Sequence, residues 1–273
     1  MIRVHSYPLL PREESTDWIA REEPLEIRLD GDSIAVTMRT PGEDAKLALG
    51  FLFAEGILRD VSEVGTVRHC GQTEDVPFGN VIDVLAAPGV RLDVERVKAT
   101  RRGTLTTSAC GICGRQSVDD LLALCQPVTT EVVLSRELVV RAPALLREQQ
   151  EGFERTGGTH AAAALDVEGR MLAVHEDVGR HNAVDKVVGS LLMLGLLGFP
   201  PRPSPGAALL VVSGRASFEI LQKAALARIP VVASVSAPSS LAVDLAERSG
   251  ITLAGFVRSG SFNLYTHPRR ISE

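Results

Sequence analysis

Ala207-Ala208-Leu209-Leu210-Val211-Val212-Ser213-Gly214-Arg215 is an unbroken apolar run that stops in two small residues and a cation. A strand with one wet face alternates apolar and polar residues, whereas an uninterrupted run is buried on both faces, the pattern of a mostly parallel sheet covered by helices. Two more runs, 230–235 and 251–257, repeat it. The segments between them, starting near Ala216 and Pro238, read as helices, and the second closes at Gly250, a suitable residue just past a helix end. This half of the chain is therefore expected to be α/β.

Working outward, residues 159–166 and 170–177 alternate around Glu168-Gly169 as a hairpin does, and Val184, Val187, Val188, Leu191 and Leu192 then stripe one helix face. The first half begins with β structure, because residues 24–40 alternate around Asp30-Gly31-Asp32. A helix from Glu43 to about Leu58 follows, with Leu47, Phe51, Ala54 and Leu58 on one face, then strand-like segments at 63–69 and 80–86. Ser117-Val118-Asp119-Asp120 matches a capping box before Leu121, Leu122 and Leu124. The expected boundary lies at Gln126-Pro127. It separates a smaller β-rich lobe, 1–126, from an α/β lobe, 127–273. No internal repeat or low-complexity tract interrupts either.

The chain has 273 residues, 45% of them hydrophobic, enough for one large domain or two lobes. A net charge of -5 argues against general nucleic-acid binding, which needs a basic surplus. Four cysteines in a chain of this size do not form a disulfide framework, and Met1 to Leu10 has no apolar core of signal-peptide length. The longest apolar run, Leu191 to Phe199, is broken by Gly195 and Gly198 and falls short of the roughly 20 residues that span a bilayer. A cytoplasmic protein without a membrane segment is expected.

Cys110-Gly111-Ile112-Cys113 sits in the most basic stretch of this acidic chain. Between Arg96 and Gln116 stand Arg96, Lys98, Arg101, Arg102 and Arg115, with no Asp or Glu. Nearby cations and the Cys-X-X-Cys spacing both favour the thiolate, the form that attacks, and the small partner of such a cluster should be an anion. Gly103, Gly111 and Gly114, with Thr104, Thr106, Thr107 and Ser108, suggest a mobile polar loop. Three other readings stay open. The pair could be half of a zinc site completed by Cys70, His69, Cys125 or a distant histidine, although none of these forms a second CxxC, CxxH or HxxxH. It could be a thioredoxin-like dithiol, though no strand precedes it, or it could be structural.

Ligands of open α/β sheets bind beyond the carboxyl ends of the strands. There the three runs end in Ser213-Gly214-Arg215, in Ser236-Ala237-Pro238-Ser239-Ser240 and in Arg258-Ser259-Gly260-Ser261. Small residues, helix N-terminal amides and arginines suit a phosphorylated ligand, although turns are made of the same residues. Glu176-Asp177-Val178-Gly179-Arg180-His181-Asn182 reads equally as a general-base site built on His175 or His181 and as helix capping. Gly157-Gly158-Thr159-His160 reads as a turn, and Cys125 and Cys70 as structural.

Taken in order, Cys110-Gly111-Ile112-Cys113-Gly114, Thr156 to His160, Glu176 to Asn182 with Asp185 and Lys186, Ser213-Gly214-Arg215, Ser234 to Pro238 and Gly255 to Arg258 form a specific set. On these motifs the chain resembles the FdhD family over most of its length. The resemblance implies a sulfurtransferase that accepts persulfide sulfur from a cysteine desulfurase and passes it to the molybdenum bis-molybdopterin guanine dinucleotide before that cofactor enters formate dehydrogenase. Cys110 matches the persulfide cysteine, and Cys113 would either resolve the persulfide or share the carrier role. Phe256, Val257, Arg258, Ser259, Gly260 and Ser261 match the cofactor-binding segment, beside Ser213, Gly214 and Arg215 chosen above on physical grounds. No permanent metal is implied. The desulfurase, the formate dehydrogenase catalytic subunit and the guanine-containing cofactor are the implied partners, and a homodimer is compatible with them.

The family's second domain is similar to the three-layer cytidine deaminase fold. Deaminase chemistry does not follow, because the His-X-Glu and Pro-Cys-X-X-Cys signature is absent. Two rival functions remain, a chaperone that escorts the cofactor without transferring sulfur and a zinc-stabilised adaptor for the dehydrogenase.

Overall fold

A computed structural model describes residues 2–6, 13–71, 79–92, 127–197, 206–258 and 260–273. β1 (Ile2–Ser6) and β2 (Glu13–Asp17) form an antiparallel pair. β3 (Glu23–Leu29) and β4 (Asp32–Arg39) form the expected hairpin, turned by two left-handed residues, Asp30 at φ 50° and Gly31 at φ 87°. Consecutive positive φ values are what a two-residue hairpin turn requires, because that turn matches the twist of its strands. β5 (Val64–Cys70) and β6 (Val81–Ala86) complete a four-stranded sheet in the order β4-β3-β6-β5, with β3 and β6 parallel.

Leu25, Ile27, Leu29, Ile82 and Val84 point from this sheet into the core, which α1 (Asp44–Ala54) helps to fill with Leu47, Leu49 and Leu52. The helix ends earlier than the apolar spacing predicted. Gly56 adopts φ 72° just past the cap residue Glu55, a left-handed stop that turns Ile57 and Leu58 back onto the core.

The second sheet contains β8 (His160–Leu165), β9 (Met171–Asp177), β10 (Leu209–Val212), β11 (Val231–Ser234), β12 (Thr252–Arg258) and β13 (Ser261–Leu264), in the order β13-β12-β11-β10-β8-β9. β10, β11 and β12 are parallel neighbours, and β9, antiparallel to β8, runs in their direction, so four of the six strands are co-directional while β8 and β13 run against them. Hairpin strands are added at both ends, β8 and β9 on one side and β13 on the other.

Both faces are covered, as the unbroken runs required. Leu210, Val212, Val232 and Leu253 face a layer made by α4 (Arg180–Met193), α5 (Phe218–Leu226) and α6 (Ser240–Arg248). Leu209, Val211, Val231 and Ala233 face Val139, Ala142 and Leu146 of α2 (Arg136–Arg147). This is the three-layer α/β arrangement. The sequence reading missed α2 because Pro143 and three arginines dilute its narrow apolar stripe. It also missed the short α3 (Glu151–Thr156) and β13. A small parallel pair, β7 (Leu134–Ser135) with β14 (Ile271–Ser272), ties the C-terminus back.

The two halves share one core, joined where α1 crosses α4. A methyl group on Gly50 would stand 1.8 Å from the Asp185 carbonyl oxygen, and one on Gly189 would stand 1.9 Å from that of Lys46. The helices thus meet backbone to backbone, with no room for a side chain between them. Among the described residues, no helix is long and apolar enough to cross a membrane.

Candidate functional site

Because β10, β11 and β12 run parallel, the segments that follow them lie side by side. Ser234 Oγ lies 2.8 Å from Gly214 O and 3.0 Å from Ser236 O, bridging the first two segments, and Phe256 N donates to Ser236 O at 3.1 Å, linking the third. β8 runs opposite to β10, so its first residue, His160, reaches the same edge, as do the end of β9 and the start of α4. A methyl group on Gly214 would lie 3.5 Å from His160 Nδ1 and 3.6 Å from Arg180. Five motifs scattered over a hundred residues therefore meet at one place.

The edge is suited to an anion. α4, α5 and α6 all begin there; the first turns of α4 and α5 have no side-chain cap, while Ser239 caps Ala242 N of α6. Arg215 and Arg258 are exposed. Arg180 Nε is buried and has no partner, a cost that a bound anion would remove. Burial, with Arg180 and His181 adding to it, lowers the His160 pKa. The His160 ring therefore adds no further cation beside the arginines near neutrality.

The segment from Phe256 to Ser261 is built differently from the other two. It is the β12–β13 hairpin, in which Arg258 pairs with Ser261, and no helix starts there. A bulge between Gly255 and Arg258 puts Phe256 at φ 53°, leaving it exposed while Val257 is 1% exposed. Gly260 takes φ 92° in the turn, and Ser259 lies outside the described residues. Cys110, Cys113, Cys125, the capping-box segment and the basic cluster at 96–116 also lie outside them.

Most of the Glu176 to Lys186 motif proves to be scaffolding. Glu176 accepts from Gly152 N, Phe153 N and Thr159 Oγ1 at 2.6–2.8 Å, capping α3. Fully buried Asp177 accepts from Thr40 N and Gly179 N and pairs with Lys186 Nζ at 2.8 Å. Asn182 Nδ2 donates to Met38 O at 2.7 Å, and Lys186 Nζ donates to Thr40 O at 3.0 Å, so the motif bolts the second half onto the β4–α1 connection. His175 bonds Ser190 Oγ at 2.7 Å, and burial, aided by Lys46, pushes its pKa down to about 4. Its lowered pKa makes it a weak proton acceptor near pH 7, which disfavours the general-base reading of His175. His181 differs. It reaches Ser217 Oγ and Glu219 Oε2, two residues that sequence reasoning passed over because no local spacing connects them to it.

The molecule is thus a three-layer α/β protein whose sheet edge gathers helix N-termini, arginines and small residues. The chain belongs to the FdhD/NarQ family, whose model matches residues 20–272. It is 54% identical over 255 residues to a sulfur carrier protein FdhD of Anaeromyxobacter dehalogenans, covering 93% of this chain and 88% of that protein. It is 49% identical over 262 residues to one of Streptomyces avermitilis, covering 94% and 89%. In three dimensions it resembles the crystal structure of a candidate formate dehydrogenase accessory protein from Desulfotalea psychrophila, with TM-score 0.75, 27% identity and 99% of each chain covered.

Proposed function

We propose that the protein is a sulfur carrier that takes persulfide sulfur onto Cys110 from a cysteine desulfurase and delivers it to the molybdenum bis-molybdopterin guanine dinucleotide, as cargo destined for formate dehydrogenase. The relatives' naming as sulfur carriers supports the first step. In loading, the Cys110 thiolate attacks the outer sulfur of the donor persulfide; a new S–S bond forms and the donor leaves as its thiolate. No net oxidation occurs.

The observation that carries the second step is the meeting of the 213–215, 234–238 and 255–261 segments at one arginine-bearing sheet edge. Arg180, with its unpartnered Nε, and Arg215 and Arg258 would take the cargo's phosphates, and the bare backbone at Gly214 and Gly260 would let them approach.

Intact-mass analysis after incubation with a cysteine desulfurase and cysteine tests the loading step. One added sulfur atom in the wild type and none in Cys110→Ala is the expected result. Stoichiometric zinc without added sulfur would favour the adaptor, and neither would favour the cofactor chaperone.

A further inference from the structure

Phe256 has a backbone conformation that its side chain disfavours. Its φ of 53° lies in the left-handed region, where a bulky residue is crowded and a glycine would sit without strain. Strained residues persist only where the surrounding structure holds them, and they gather at ligand sites. Here the bulge between Gly255 and Arg258 does the holding, with Phe256 N donating to Ser236 O at 3.1 Å, and the side chain is left 39% exposed at the sheet edge. A second ring stands beside it. Tyr265, one residue past β13, is 37% exposed, and a methyl group on Gly255 would stand 2.9 Å from its Cε2 and 3.0 Å from Pro238 Cδ. Gly255 is not left-handed, so what it supplies is space: any side chain there would push the tyrosine ring away from the strand. Tyr265 lies outside every motif singled out from the sequence, and only the fold lays it against Gly255.

This aromatic corner adjoins the arginine-bearing part of the edge. Arg215 follows β10, two strands from β12 and therefore about 10 Å away at ordinary strand spacing, and Arg180 lies beside Gly214. Phosphates at the arginine end and a planar ring at the aromatic end leave room for a sugar between them. A planar heterocycle gains from stacking on another ring, whatever the pattern of donors and acceptors around its rim.

We infer that Phe256 and Tyr265 form a stacking platform for the base of a bound nucleotide, an inference that rests on the reading above that this edge takes the cargo's phosphates. Charge recognises one end of the ligand and a π-face the other. Because the platform reads a face and not a rim, it accepts either purine.

The full chain is titrated by calorimetry with GMP, AMP and ribose 5-phosphate, which share sugar and phosphate and differ in the base. Wild type should bind GMP and AMP alike, each about 10-fold more tightly than ribose 5-phosphate, as one stacked base provides. Phe256→Gly should lose that advantage, keep its affinity for ribose 5-phosphate and melt no lower than wild type, because glycine suits the left-handed backbone. Tyr265→Leu should show the same selective loss, and Tyr265→Phe and Phe256→Tyr, which keep the rings, should bind as wild type does. Equal binding of GMP and ribose 5-phosphate by the wild type, or undiminished GMP binding by Phe256→Gly and Tyr265→Leu, overturns the platform and leaves the phosphate edge standing. Tight GMP with AMP no better than ribose 5-phosphate shows recognition through the rim of the base and overturns stacking as its source. Loss of both ligands together with a changed oligomeric state in these variants assigns the rings to a contact between copies of the chain and also overturns it. A wild type that binds none of the three ligands removes the phosphate edge and the platform together.

Discussion

Lys186 shows how much a single buried charge can hold. Its ammonium pairs with fully buried Asp177 and reaches two carbonyls, one of them Thr40 O in the other half of the chain. Removing one member of a buried pair leaves the other uncompensated, so Lys186→Met should cost about 3 to 5 kcal/mol in urea unfolding. His175 acts through pH. Its pKa falls from the ordinary 6.5 to about 4 on folding, because burial and Lys46 oppose its charge. The unfolded chain therefore binds the extra proton between those values, so this contribution is complete above pH 6.5 and lost as pH falls toward 4. Asp185, which burial beside Lys223 raises from 3.8 to about 6, works in the opposite sense. The test is thus the difference between proteins: His175→Gln should lose less stability than wild type between pH 6.5 and 5. If the sheet edge takes the cargo's phosphates as proposed, Arg258→Ala should weaken GDP binding by about 1.5 to 3 kcal/mol, the worth of a hydrogen bond to a charged group. Calorimetry with GDP, ADP and guanosine reads phosphate and base recognition separately.

Among the elements, the α1–α4 crossing is the least tolerant of change. Gly189→Ala would drive a methyl group into the Lys46 carbonyl, and two packed helices cannot both move aside without opening the core. A loss of about 3 kcal/mol or more is expected in thermal or urea melts. Met193→Ala at the exposed end of the same helix should stay within about 0.5 kcal/mol. The hairpins, by contrast, were legible from sequence. Asp30-Gly31 and Glu168-Gly169 announce their turns, and the alternation on either side states which face is buried. α2 escaped because its buried residues are only Val139, Ala142 and Leu146, while Pro143 lies inside it. β13 escaped because half-buried Phe262 is the most covered residue of a short edge strand, so no apolar alternation marks it.

At the scale of the molecule, Leu25 and Ile27 of the first sheet belong to the same buried cluster as Val184 and Val187 of α4. Neither half closes its core alone. The full chain should unfold in urea as one transition seen alike by fluorescence and circular dichroism. A 127–273 fragment, which would expose the α4 face and strip Asp177 and Lys186 of Thr40, should be aggregation-prone or molten. Two independent transitions would show instead that the boundary at Gln126-Pro127 separates autonomous domains.

Sequence alone determined the alternation of strands and helices after residue 157, the burial of three apolar runs on both faces, and a set of polar segments at their ends. These are local matters, because side-chain period and turn chemistry are written into neighbouring residues. The roles within Glu176 to Asn182 were not legible there, since capping and catalysis call on the same residue types. Only the tertiary structure assigned them. Thr40 and Met38 arrive from the other half to engage Asp177 and Asn182, while α5 delivers Ser217 and Glu219 to His181. Whether a polar side chain braces the fold or faces a ligand depends on which distant partner meets it, and packing alone makes that choice.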